Sequence, residues 1–144
     1  MMKRILLCVA IVAVAMLSGN ILRNFIPVYF LGSSIVVLSE ELAKYVIFAG
    51  KVCERTPSGL LPVGVAFSLL EGPISLIYLH GAEDLGVLWI AGAATLAFVV
   101  PLFLHWFLAT PYLIRLPIGI CFGLSLGLHY LWNWAVRSFF QFFA

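Results

Sequence analysis

Glu40, Glu41, Glu71, His105, His129 and Asn133 each lie inside a stretch of this chain that is otherwise apolar. Carboxylates can take a proton from water, and imidazole and amide groups can hold water or donate to a developing negative charge. The densest stretch is Ser39-Glu40-Glu41-Leu42-Ala43-Lys44-Tyr45, two acids and a base between Ile35-Val36-Val37-Leu38 and Val46-Ile47-Phe48-Ala49. A charged side chain at mid-bilayer costs about 2.5–3.5 kcal/mol, so three neighbours require a compensating reason. On a helix Glu40 and Lys44 stand one turn apart on a shared face, with Glu41 about 100° round. Either Glu40 and Lys44 form an ion pair that serves only packing, or the acids line a polar cavity and do chemistry there.

The elements that must carry these groups can be read from the apolar runs. After the basic head Met1–Arg4, a helix is expected over 5–22, closed by Arg23 and Asn24. Its basic start and apolar run look like a secretory signal with Ser18-Gly19 as a cleavage region, but the spans that follow favour an uncleaved helix. The second helix is expected over 33–50, because Pro27 and Gly32-Ser33-Ser34 should keep its opening irregular. Pro57 and Ser58 suit a helix start, giving a third helix over 59–79 in which Pro73 should kink the chain beside Glu71. The fourth is expected over 85–108, with Pro101 inside it and Thr110-Pro111 after it, and the fifth over 118–136. The aromatic tail from Arg137 suits a membrane interface.

Composition narrows the class. The chain has 144 residues, 64% hydrophobic and 10% charged, whereas soluble domains carry about 25% charged residues. The expected fold is therefore all-α: one integral membrane domain over 1–144, a polytopic bundle of about five transmembrane helices, each of a length that crosses a bilayer. A net charge of +2 without a basic run argues against nucleic acid. Cys8, Cys53 and Cys121 lack metal-type spacing and read as reduced core thiols. With the N-terminus cytoplasmic, Lys3, Arg4, Lys51, Arg55 and Arg115 face inward against Arg23 and Arg137 outside, and the Glu83-Asp84 loop faces out. That places the chain in a cytoplasmic (inner) membrane.

Taken singly, each polar group has a plain structural use. Glu71 could be a protonated acid on a carbonyl, His105 beside Trp106 an interfacial residue, and His129 with Asn133 interhelical hydrogen-bond partners. His80 reads as a solvated loop residue. Jointly, these groups sit on four helices, and hydrocarbon cannot solvate them, so they should turn inward and meet.

The motifs themselves have a likeness. Glu40-Glu41-Leu42-Ala43-Lys44 fits EExxK, Phe67-Ser68-Leu69-Leu70-Glu71 fits FxxxE, and a lone His105 precedes His129-Tyr130-Leu131-Trp132-Asn133, an HxxxN pattern. In this order on successive apolar segments, they resemble the PrsW-type membrane proteases, within the superfamily of CAAX prenyl endopeptidases and bacteriocin-processing proteins. Lys44 and Glu71 point to the PrsW side, since the CAAX branch usually carries EExxxR and FxxxH. The likeness spans about Ser39 to Asn133. The chain is shorter than most members, with fewer flanking helices, which leaves room for an accessory membrane subunit.

The resemblance implies an intramembrane endopeptidase acting on a transmembrane or membrane-associated protein. Glu40 would be the general base, Glu71 would help to hold the water, Lys44 would keep one acid ionised, His105 would orient water or a carboxylate, and Phe67 would support the site. His129 and Asn133 would form the oxyanion hole, with Glu41 counted among the catalytic acids. A metal-free glutamic mechanism is favoured, because HxxxN suits a donor pair and no HExxH is present. The zinc-dependent alternative would use Glu40, Glu71, His105 and His129. Two rivals are a non-catalytic scaffold or immunity-type protein of the same fold, and a proton- or ion-coupled transporter subunit.

Overall fold

A computed structural model describes residues 1–25, 29–79 and 87–143. Among the described residues all regular structure is helical: α1 (Met2–Phe25), α2 (Tyr29–Ala49), α3 (Pro57–Leu79), α4 (Val87–Leu108), a short 3-10 turn (Thr110–Leu113) and α5 (Ile118–Phe143). The expectations for Pro27, for His80 and for the Glu83-Asp84 loop lie outside the described residues, as does the start expected for the fourth helix at 85–86.

The elements run longer than their breakers suggested. α2 passes through Gly32-Ser33-Ser34 and begins at Tyr29, not at 33. The helix keeps the backbone groups of this apolar segment paired, which outweighs the weak propensity of glycine and serine. α3 continues through Pro62 and Pro73, as the expected range already had it, and α5 continues past Val136 to Phe143, taking in the aromatic tail.

Local chemistry sets the turn between α2 and α3. The Val52 N–H bonds the Ile47 carbonyl at 2.9 Å and the Lys51 N–H bonds that of Phe48 at 3.3 Å. Lys51 adopts φ 55° between them, so a lysine takes the left-handed position where glycine is usual. Thr56 then caps α3, its Oγ1 accepting from the Gly59 N–H at 3.1 Å, with Pro57 in the first turn where its missing N–H costs nothing.

α1 lies against α2 and α3, α3 against α4, and α2 against α5. The α3–α4 contact is close because small residues recur one turn apart. Gly64 faces the Leu102 carbonyl and Gly72 faces the Phe98 ring, while Ser68 Oγ donates to the Phe98 carbonyl at 2.7 Å. Such a small-residue stripe lets two backbones approach. The core is Cys8, Val12, Ala43, Ile47, Phe48, Leu60, Val63, Ala66, Phe67 and their neighbours, with the Tyr112 ring stacked on Phe48 at 4.6 Å.

The outward faces are hydrocarbon: Val14 and Leu17 on α1, Leu96 and Phe103 on α4, Leu131 and Trp134 on α5 are all exposed. Among the described residues three helices are long and apolar enough to cross a membrane, at Met2–Phe25, Pro57–Ile74 and Ile90–Leu108. α2 and α5 are the helices diluted by Glu40, Glu41 and Lys44 and by His129 and Asn133. At one end of the bundle, Arg4 pairs with Glu54 at 2.8 Å. Arg55 there donates to the carbonyls of Tyr112 at 2.7 Å and Leu116 at 3.0 Å, and to that of Ile114. The N-terminus, the α2–α3 turn and the α4–α5 turn are thereby tied together, gathering Lys3, Arg4, Lys51, Arg55 and Arg115 at one end.

Candidate active site

The two acids of α2 point in different directions and make different contacts. Glu41 is fully buried. Its Oε1 accepts from Lys44 Nζ at 2.5 Å and from His129 Nδ1 at 2.8 Å, and its Oε2 meets the Ser125 hydroxyl. Lys44, itself fully buried, therefore pairs with Glu41 three residues earlier, and not with Glu40 one turn away. The rotation of α2 that turns Glu41 toward α5 carries the lysine with it, and an i,i+3 pair closes as readily as an i,i+4 pair. Taking both charges out of water is tolerable only because the remaining lone pairs of the carboxylate are also filled.

Glu40 occupies the open side of this network. One of its oxygens lies 3.6 Å from His129 Nε2, and its side chain is 11% exposed. Across from it, His105 Nε2 lies 2.8 Å from Glu71 Oε1. The His105 ring is stacked on Phe67 at 3.7 Å and 10° and stands edge-on to His129 at 5.8 Å. Lys44 Nζ sits 5.3 Å from the centroid of the same Phe67 ring, a cation–π contact strengthened by the burial of the ammonium group. One donor atom each from Glu40, Glu71 and His105 falls within a single 4.8 Å cluster.

The geometry thus unites Glu40, Glu41, Lys44, Phe67, Glu71, His105 and His129 from four helices. Asn133, one turn beyond His129, is half-buried and makes no side-chain hydrogen bond among the described residues. Ser125, one turn before His129, belongs to the cluster, although only the HxxxN pair stands out in the sequence. Its signal was the spacing: Ser125, His129 and Asn133 recur at four-residue intervals along one face of α5. The small-residue stripe of α3 is the other missed signal, since it sets the depth at which Phe67 and Glu71 meet α4.

Among the described residues, two buried side-chain polar atoms lack a partner, His105 Nδ1 and the Tyr112 hydroxyl. The first lies on the ring whose other nitrogen faces Glu71. An apolar groove of about 570 Å³ between α1 and α2, lined by residues such as Ala15, Gly19, Leu38 and Leu42, contains none of these groups. The polar cluster is a packed interior feature, not the floor of that groove.

Fold and site together define an all-helical protein of membrane type with a buried carboxylate–imidazole centre. No family model, curated protein or solved structure matches the chain.

Proposed function

We propose that the chain is a membrane-embedded endopeptidase, a five-span bundle with a cytoplasmic N-terminus that hydrolyses a peptide bond in a membrane protein through water activated by Glu40. The observation that carries this reading is the cluster of Glu40, Glu71 and His105 donor atoms within 4.8 Å, with His129 Nε2 3.6 Å from Glu40. Two carboxyls set this close in a buried site can hold one water between them. The order of the EExxK, FxxxE and HxxxN motifs, similar to that of PrsW-type proteases, supports the same reaction.

Glu40 takes a proton from the water as its oxygen attacks the carbonyl carbon. Glu71, itself held by His105, keeps that water in place. His129, held by Glu41 at Nδ1, and the Asn133 amide are the two groups placed to donate to the oxyanion. Glu40 then passes its proton to the departing nitrogen as the C–N bond breaks. General-base assistance of this kind contributes about 10²–10⁴-fold, and one oxyanion donor about 10²–10³-fold.

A zinc-dependent form of the same reaction is the second reading, favoured by the donor set. Carboxylate oxygen and imidazole nitrogen are both zinc ligands, and Glu40, Glu71 and His105, with His129 as a fourth, would hold the ion. Zinc would supply Lewis acidity and a more acidic water.

The test is reconstitution into liposomes with a library of single-span substrates, comparing wild type with Glu40→Gln. Fragments that appear only with the wild type support the proposal, and fragments that persist with Glu40→Gln overturn it. Cleavage abolished by a chelator and restored by zinc would select the metal-dependent form.

A further inference from the structure

We propose that Ser125 is a positioning residue, the third point that fixes the Glu41 carboxylate and so sets the direction in which His129 presents Nε2 to Glu40. Its consequence for catalysis rests on the hydrolytic reading above, whereas its geometry does not. Ser125 has no exposed surface. Its hydroxyl lies against Glu41 Oε2 and 2.6 Å from the carbonyl oxygen of Leu108. Leu108 is the last residue of α4. Its helical donor would be the Tyr112 N–H, but that group bonds the Ala109 carbonyl at 3.0 Å instead. The final carbonyl of α4 is therefore met by Ser125, one of the orphan groups every helix end must place. A single hydroxyl hydrogen between two acceptors holds the side chain at one point between α2 and α4.

The three contacts of Glu41 divide unequally. Lys44 and His129 both bind Oε1, and any turn of the carboxylate about its last bond would break those contacts. Ser125 binds the other oxygen and adds a third point that resists the same turn. With Oε1 held, the Nδ1–H of His129 has a fixed acceptor, and an engaged Nδ1 prevents the ring from exchanging its two nitrogens. Nε2 is then kept on the Glu40 side. Ser125 and His129 are one turn apart on α5, so the serine and the ring it orients move as one body. A further turn back, Arg55 donates to Cys121 Sγ at 3.0 Å, which sets the height of α5 against the α2–α3 turn. Ser125 is not placed as a nucleophile: it has no exposed surface, and its hydroxyl is directed to Glu41 and the Leu108 carbonyl, not to an imidazole.

The experiment uses the full chain in detergent micelles, labelled with ¹⁵N-histidine. The wild type should give a strongly hydrogen-bonded Nδ1–H signal that disappears in His129→Gln. In Ser125→Ala that signal should be lost or broadened, and kcat on a cleaved single-span substrate should fall about 10–100-fold, the usual effect of losing a partner behind a site group, with KM little changed. Ser125→Thr keeps the hydroxyl and should restore both. If Ser125→Ala does not fold, Ser125→Cys carries the comparison with the same expected loss. An unchanged His129 signal in the alanine or cysteine variant overturns the proposal, as does a failure of threonine to restore it. Absence of cleavage by the wild type, with the expected spectra, would retire the hydrolytic reading and leave the positioning role supported.

Discussion

Glu41 Oε1 and His129 Nδ1 lie 2.8 Å apart although the residues are separated by 88 positions in the chain. With the Ser125 hydroxyl on the other oxygen, this contact joins α2 to α5 in the interior, and the buried Lys44 depends on the same oxygen as the histidine. Glu41→Gln removes the partner of a buried ammonium group, a change that typically costs about 3–5 kcal/mol. Glu40→Gln leaves every hydrogen bond of that network in place. Unfolding in mixed micelles should therefore show Glu41→Gln as much the less stable variant, and the reverse order would contradict the division between the two acids.

Hydrolysis should respond in the opposite sense to stability at Glu40. Glu40→Gln is expected to retain the wild-type unfolding midpoint closely while cleavage of a single-span substrate in liposomes falls about 10²–10⁴-fold, the contribution of a general base. A large loss of stability without loss of cleavage would assign Glu40 to structure.

A methyl group at position 64 tests the α3–α4 approach. A Cβ on Gly64 would lie 2.6 Å from the Leu102 carbonyl oxygen and 3.4 Å from Trp106 Cβ. The first of these is backbone and cannot swing away, so Gly64→Ala should push the helices apart at a cost of about 1–3 kcal/mol, as overpacking does. His105 lies one residue from Trp106, and its stacking on Phe67 should loosen with it. Gly92→Ala, which meets nothing within 4 Å, is the control expected to be neutral or stabilising.

Arg55 gathers three carbonyls and a thiol at the end of the bundle. Lysine has the charge but not the planar fork of donors. Arg55→Lys should therefore destabilise nearly as much as Arg55→Ala, by about 0.5–1.5 kcal/mol, since the contact to the Tyr112 carbonyl is half-buried and the carbonyls of Ile114 and Leu116 can turn to water. A lysine variant as stable as wild type would mean that charge alone holds the turn.

Cys8 Sγ and Cys53 Sγ lie 3.5 Å apart, both buried. In the Cys53 thiol, the hydrogen bond from Cys8 is the main influence and lowers its pKa from the usual thiol value. Mild chemical oxidation should join these two cysteines within one chain and leave Cys121 open to alkylation under denaturing conditions. A bridge to Cys121, or none at all, would place α1 wrongly against the α2–α3 turn.

The residue types alone settled a good deal. An apolar chain with so few charges must pair its backbone in helices, and buried acids and imidazoles in such a chain must find one another. The gathering of Glu40, Glu71, His105 and His129 was legible on that ground, whereas the stacking of Phe67 on His105 was not. The apolar runs located the helices, but the start of α2 moved, because Gly32 and its neighbouring serines break a helix in water more readily than in an apolar interior where backbone groups need partners.

What the sequence could not decide was orientation within each helix. Glu40 and Glu41 are adjacent and chemically alike, and only the rotation of α2 against α5 determines which one is locked to Lys44 and which faces the cluster. The role of Ser125 was equally hidden, since a serine among apolar residues has no meaning until the end of α4 is laid beside it. Hydrophobic pattern specifies that a polar side chain must be inside; which partner it meets depends on helix rotation and depth, and those are set by close contacts such as Gly64 on Leu102 that exist only once the chain has folded.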